Sequence, residues 1–251
     1  MTIRVLENYQ ELSLLAAEII FHEIKQKPNL LLCPATGNSP YKTYQILSDR
    51  AKLNKSVFSQ IRLIKLDEWG GLPAEDPGSC ETYLQNHLIN PLEIPASRYI
   101  SFPGNDPHTG KICQEVDHAL EKEGPIDLCI LGIGRNGHLA MNEPAGFLSS
   151  GTHKAKLAIS TQAHSLLDNS AFKPKFGISL GIGSLLQSSK ILLLISGMGK
   201  SEIVKKLMDR RITTRLPASL LWAHPNVTLL MDKEAATGLD LDRLHSEIKT
   251  E

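Results

Sequence analysis

Charge of one sign is what this 251-residue sequence most plainly lacks: 27 basic residues balance 27 acidic ones, for a formal net charge of +0. There is thus no electrostatic footprint for nucleic acid or for an anionic membrane, and an anionic ligand has to be held by a few local groups. Cysteine is scarce, and Cys33, Cys80, Cys113 and Cys129 fall without C-x-x-C spacing, which points to buried reduced thiols rather than disulfides or a zinc site. No apolar run reaches the about 18 residues that a membrane-crossing helix takes. No signal-peptide pattern opens the chain, so the expectation is a soluble, cytoplasmic protein. Repeats, low-complexity tracts and linkers are also missing, and residues 1–251 are expected to form one domain, a length that single α/β domains reach.

What is present is alternation. Hydrophobic residues make up 41% of the chain, ample for a core. Helical periodicity covers Tyr9 to Gln26, Tyr41 to Leu53, Ser79 to Ile89, Gly110 to Glu123 and Lys200 to Met208. Strand-like apolar runs fall at Asn29 to Cys33, Ile61 to Leu66, Ile126 to Leu131, Phe176 to Leu180, Ile191 to Ile195 and Val227 to Met231. This order predicts an α/β fold, Rossmann-like and doubly wound, with a mostly parallel sheet and helices on both faces.

The segment Gly132-Ile133-Gly134-Arg135-Asn136-Gly137-His138-Leu139-Ala140-Met141-Asn142-Glu143-Pro144 gathers a histidine and a carboxylate on a glycine-rich loop behind one of these strands. Its glycines spell G-x-G-x-x-G, but a dinucleotide fingerprint should open a helix and be followed by an acid about 20 residues on. Here Asn142-Glu143-Pro144-Ala145-Gly146 breaks any helix early, and Ser150 to Lys156 holds no acid. The choice left is between a catalytic loop at the carboxyl edge of a sheet, where ligands bind, and a turn whose histidine merely satisfies a backbone group.

Two further strand ends carry candidate chemistry. Pro34-Ala35-Thr36-Gly37-Asn38-Ser39-Pro40 leads into a helix, so its unpaired backbone N–H groups and the helix dipole suit a phosphate. Pro40 at the first helical position fits, and Ser39 is equally readable as a plain N-cap. Leu66-Asp67-Glu68-Trp69-Gly70-Gly71-Leu72 places two carboxylates side by side. In an extended segment they point to opposite sides, and a carboxylate desolvated beside Trp69 would have a pKa raised toward the range useful for proton transfer. A solvated helix cap is the bland alternative.

In chain order, the Thr36-Gly37-Asn38-Ser39-Pro40 loop, the Leu66-Asp67-Glu68-Trp69 strand end and Gly137-His138 with Asn142-Glu143-Pro144 resemble the glucosamine-6-phosphate deaminase and 6-phosphogluconolactonase superfamily. The likeness spans nearly the whole chain and is narrowest to the hexosamine-phosphate deaminase branch, because the sister lactonases usually lack the Asn-Glu-Pro. Lys200, in Ser196-Gly197-Met198-Gly199-Lys200, matches the family's later phosphate-binding lysine. The resemblance implies substrate and phosphate contacts from Thr36, Gly37, Asn38, Ser39, Gly137 and Lys200, and catalytic roles for Asp67, His138, Glu143 and Asn136. It implies a sugar phosphate as small-molecule partner, a possible homo-oligomer, and no metal or organic cofactor. It further implies that His138 shuttles the ring-opening proton, oriented by Glu143, and that Asp67 moves the C2 proton to C1 before water releases ammonia.

The chain departs from the glucosamine enzymes at three places. Asn136 stands where they typically carry Asp, which leaves Glu143 alone to orient His138, and Asn136-Gly137-His138-Leu139 resembles the galactosamine-6-phosphate isomerase (deaminating) subgroup. Trp69, in place of the usual Tyr, points the same way. Leu167 falls where an ungapped count puts a phosphate-binding arginine, with His164 nearby as a substitute or as an ordinary surface histidine. The cations of the known allosteric site lack counterparts around His153 to Lys156, so effector activation by an N-acetylhexosamine phosphate is not expected. A lactonase and a non-enzymatic sugar-phosphate sensor remain as weaker alternatives: Asn142-Glu143-Pro144 disfavours the first, and retention of Asp67, His138 and Glu143 would be superfluous in the second.

Overall fold

A computed structural model of the protein describes residues 1–170 and 172–240, apart from the side chain of Asn169. The expected domain limit at residue 251 thus lies outside the described residues. The strands are β1 (Thr2–Leu6), β2 (Leu31–Cys33), β3 (Arg62–Ile64), β4 (Asp67–Trp69), β5 (Tyr99–Ile100), β6 (Leu128–Leu131), β7 (His153–Lys156), β8 (Phe176–Ser179), β9 (Lys190–Ile195) and β10 (Val227–Asp232). The helices are α1 (Tyr9–Gln26), α2 (Asn38–Leu53), α3 (Lys55–Phe58), α4 (Cys80–Leu84), α5 (Thr109–Glu123), α6 (Ile159–Gln162), α7 (Ile182–Leu186) and α8 (Ser201–Met208).

Seven strands form one sheet in the order β1-β10-β9-β6-β2-β3-β5, and every neighbouring pair in it is parallel. Their runs are apolar without a break because both faces are covered. Leu32, Leu63, Leu128, Ile130, Leu192, Leu194 and Leu230 pack on one side with Leu12, Ala16, Ile20 and Ile24 of α1 and Tyr44 and Leu47 of α2. Leu31, Cys33, Ile64, Cys129, Leu131, Ile191, Leu193 and Ile195 pack on the other with Cys113 and Val116 of α5 and Ile203, Val204 and Leu207 of α8. The doubly wound α/β expectation holds.

From β2 the chain continues outward to β3 and β5, whereas β6, on the other side of β2, leads to β9 and β10. The winding direction therefore reverses between β2 and β6, and the loops leaving their carboxyl ends stand beside one another at the crevice where such sheets bind ligands.

Three local expectations are corrected. Phe176–Ser179 does not join the parallel sheet but pairs antiparallel with β4 and β7 in a second, three-stranded sheet. Gly177 permits this, since a β-carbon there would collide with the Met141 sulfur and stand 3.0 Å from the Glu68 carbonyl. Helix α2 begins at Asn38, with Gly37 as N-cap and no capping side chain, so Ser39 is not the cap and Pro40 is the third helical residue. Thr2–Leu6, unassigned from sequence, is an edge strand paired with β10.

Candidate active site

A cavity of about 490 Å³ opens at the crevice between β2 and β6, and Thr36, Asn38, Asp67, His138, His164 and Lys200 are among its walls. The β2 loop reaches it with its carbonyls already engaged elsewhere. Tyr44 Oη donates to Ala35 O at 2.8 Å, Tyr83 Oη to Gly37 O at 2.7 Å and Tyr9 Oη to Asn38 O at 2.6 Å. Gly37 turns through φ 101° to start α2, a left-handed value that glycine adopts without cost. The uncapped first turn of α2 keeps its N–H groups for a ligand. Ser39 Oγ lies 3.3 Å from Ser196 Oγ on the loop after β9.

Asp67 opens β4 and, as the pleat requires, its side chain and that of Glu68 diverge. Glu68 turns into the protein, where it accepts from Trp69 N, Cys80 N and Glu81 N, each at 2.9 Å. Lys65 neutralises it at 3.0 Å, also lies 2.6 Å from Glu81 and donates to Phe102 O at 2.8 Å. Asp67 is 8% exposed, and the Cys80 thiol lies 3.6 Å from its Oδ1. Burial first, and the Glu68 charge second, push the Asp67 carboxyl up to about 7, against smaller opposing effects of Cys80 and Lys65. A carboxylate poised at neutrality is suited to taking up and returning a proton.

His138 is set by two glycines. A β-carbon on Gly134 would collide with the His138 ring, so the ring lies directly over that backbone. Gly137, at φ 88°, faces Leu216 and Ile203. Glu143 Oε2 stands 3.5 Å from His138 Nδ1, and Thr161 Oγ1 stands 3.3 Å from the same nitrogen. Asn136 Nδ2 donates to Glu143 Oε2 at 2.7 Å, while Ala158 N donates to Oε1 at 3.1 Å. Burial works to raise the Glu143 carboxyl, but His138, Thr161 and Asn136 outweigh it and hold it down to about 2. Asn142 braces the loop from behind, its Nδ2 donating to Leu139 O and Leu180 O at 3.0 Å each.

The family profile described as glucosamine-6-phosphate isomerases/6-phosphogluconolactonase matches residues 7–230. This chain belongs to that family. Among its relatives, the glucosamine-6-phosphate deaminase of Clostridium tetani is 42% identical over 94% of this chain and 99% of its own. The Escherichia coli K12 protein called "Putative deaminase AgaI" is 37% identical over 92% of each chain. The solved structure of a monomeric glucosamine-6-phosphate deaminase superposes with a TM-score of 0.90 at 36% identity, covering 94% of this chain and 99% of that one. A 6-phosphogluconolactonase from Leishmania guyanensis shares the fold at 19% identity, with a TM-score of 0.75 over 95% of this chain and 98% of that one.

For this family member, the fold brings Thr36, Gly37, Asn38, Ser39, Asp67, His138 and Lys200 onto one cavity. Glu143 and Asn136 stand behind the His138 ring, and Gly137 lies on the far side of the loop; none of the three lines the cavity. The expectation that Glu143 alone orients His138 is corrected by Thr161. Leu167 is buried in an apolar cluster, whereas His164 is a cavity residue rather than a surface one. Burial, with smaller contributions from the His138 and Lys200 charges, lowers His164 to about 4. Sequence reasoning missed Thr161, Tyr9 and Tyr83, whose partners are remote in the chain, and Tyr44, whose partner Ala35 is nine residues away. It also passed over Arg135, although that residue sits inside the quoted loop and lines the cavity. Among the described residues, no group of three or more His, Cys, Asp or Glu is placed to hold a metal, and no helix is long and apolar enough to cross a membrane.

Proposed function

We propose that this member of the hexosamine-6-phosphate deaminase branch converts galactosamine 6-phosphate and water to tagatose 6-phosphate and ammonia, with residues 1–251 acting as one cytoplasmic catalytic domain. The observation that carries the reading is that a carboxyl poised near 7, Asp67, and a carboxylate-backed imidazole, His138, line one cavity together with the uncapped start of α2 and Lys200. The phosphate is gripped by the Gly37–Ser39 amides and Lys200. With Nδ1 directed to Glu143 and Thr161, His138 uses Nε2 to take the proton of the anomeric hydroxyl and return it to the ring oxygen, which opens the sugar. Asp67 then removes the C2 proton and delivers it to C1. The resulting 2-imino ketose adds water at C2 and expels ammonia, leaving the ketose phosphate.

Asn136 and Trp69, which resemble the galactosamine subgroup, favour the galacto substrate; glucosamine 6-phosphate, giving fructose 6-phosphate, is the second reading and is favoured by the named activities of the relatives. All the groups in this scheme come from one chain, so the reading does not need an oligomer. Ammonia release from the two hexosamine phosphates, measured in parallel against Asp67→Asn, tests it. Release from the galacto sugar alone supports the proposal, release from the gluco sugar alone moves the substrate, and no release from either defeats the deaminase reading.

A further inference from the structure

We infer that Arg135, on the catalytic loop itself, is the second cation of the phosphate grip and clasps the substrate phosphate together with Lys200. The inference rests on the proposed sugar-phosphate reading of this cavity.

The loops after β9, β6 and β2 stand side by side because those strands are neighbours in the sheet. Lys200 comes from the first, Arg135 from the middle one, and the Gly37–Ser39 amides from the third, and all of them line the cavity. A phosphate monoester is close to a dianion at neutral pH. Lys200 supplies one positive charge, with part of its donor capacity committed to Ile133 O at 2.6 Å.

Arg135 supplies the charge that is still lacking. Its guanidinium lies along the Gly199 backbone, such that a β-carbon on Gly199 would stand 3.6 Å from Nη2. Among the described residues no carboxylate pairs with it and no hydrogen bond holds it. Arg135 acts on its neighbour: burial first, and the Arg135 charge second, lower the Lys200 pKa. Like charges set together at a cavity wall without a counterion are unfavourable until an anion bridges them, and the planar fork of arginine matches phosphate oxygens in pairs.

The competing candidate does not supply that charge. His164 is held neutral by burial, and its Nδ1 accepts from Leu166 N at 3.2 Å. It offers the cavity one neutral N–H at Nε2, near Gly37. Arg135 also stands three residues before His138, so an occupied phosphate site tethers the loop that carries the proton shuttle.

Inorganic phosphate is the probe, titrated calorimetrically and as a competitive inhibitor, with wild type, Arg135→Ala and Arg135→Lys. Losing one charge-assisted pair should weaken phosphate binding and raise KM for the hexosamine phosphate by about 10–100-fold, with much less change in kcat. Arg135→Lys should recover only part of this, since lysine keeps the charge and not the fork. Arg135 is exposed and has no ion pair among the described residues, so the variants should melt with wild type. Unchanged phosphate affinity and KM in Arg135→Ala, with ammonia still released by wild type, overturn the inference and leave the deaminase reading in place. A wild type that binds no phosphate overturns it too. Absence of turnover on both sugars, with phosphate affinity still falling in Arg135→Ala, keeps the anion site and removes the deaminase reading.

Discussion

Glu143 Oε2 is shared between Asn136 and His138, 2.7 Å from the amide nitrogen of one and 3.5 Å from Nδ1 of the other. Asn136 therefore acts on the imidazole through Glu143. Glu143→Gln removes the charge that faces Nδ1 and should lower kcat by about 10²–10³-fold, within the about 10²–10⁴-fold that a general acid–base contributes. KM should hardly move, since Glu143 is not on the cavity wall. Asn136→Ala deletes one supporting donor and should cost less, about threefold to tenfold in kcat. Steady-state kinetics on the preferred sugar check both, and an unchanged kcat in Glu143→Gln would remove the shuttle assigned to His138.

The Asp67 carboxyl, pushed up to about 7, links activity and stability to pH in opposite senses. As the base it must be ionised, so kcat/KM should rise with pH through an acid limb near 7. For folding the sign is reversed. The unfolded carboxyl titrates near its ordinary value of about 3.9, so between about 4 and 7 the native state holds the extra proton, and this contribution to stability is lost as pH rises. Asp67→Asn carries no such penalty, and it should melt above wild type at pH 8 and draw level with it toward pH 4. The full effect is on the order of 4 kcal/mol at most. Thermal melts across pH read it directly, and a variant that is less stable at pH 8 contradicts the burial argument.

Gly134→Ala is a near-minimal change aimed at the imidazole, because the new methyl would occupy the space of the His138 ring. The ring must swing away from Glu143, and kcat should drop about 100-fold with phosphate affinity kept, since misplacement by about 1 Å carries a cost of that size. Equal loss of phosphate binding would mean that the whole loop had collapsed.

Tyr83→Phe removes the hydroxyl that holds Gly37 O at 2.7 Å. The carbonyl is left without its buried donor, which costs about 1–3 kcal/mol. The expected result is a lower melting temperature together with a higher KM, as the loop loses the orientation that aims its amides at the cavity. A fall in stability with KM untouched would show that Tyr9 and Tyr44 suffice to hold the loop.

The parallel sheet was legible because runs such as Lys190–Ile195 are apolar on both faces, and that pattern has few other readings. Asp67, His138 and Lys200 were legible because each stands at the end of such a run or in the loop that follows it. The small sheet was not. Its strand His153–Lys156 has two lysines facing outward and one buried alanine, too little pattern to separate from a loop. The tyrosine braces were equally hidden, since Tyr83 lies 46 residues from Gly37 and nothing local ties the two. Thr161 reaches His138 across 23 residues from a four-residue helix whose periodicity is too short to read.

Asp67 does not belong to the seven-stranded sheet. Its backbone is tied through Ser179 to the three-stranded one, which depends on the glycine contact between β8 and Met141. Warming that loosens this small flap would disarm the base while the main core is still folded. Heat inactivation and global melting are then distinct events, with the first arriving at the lower temperature.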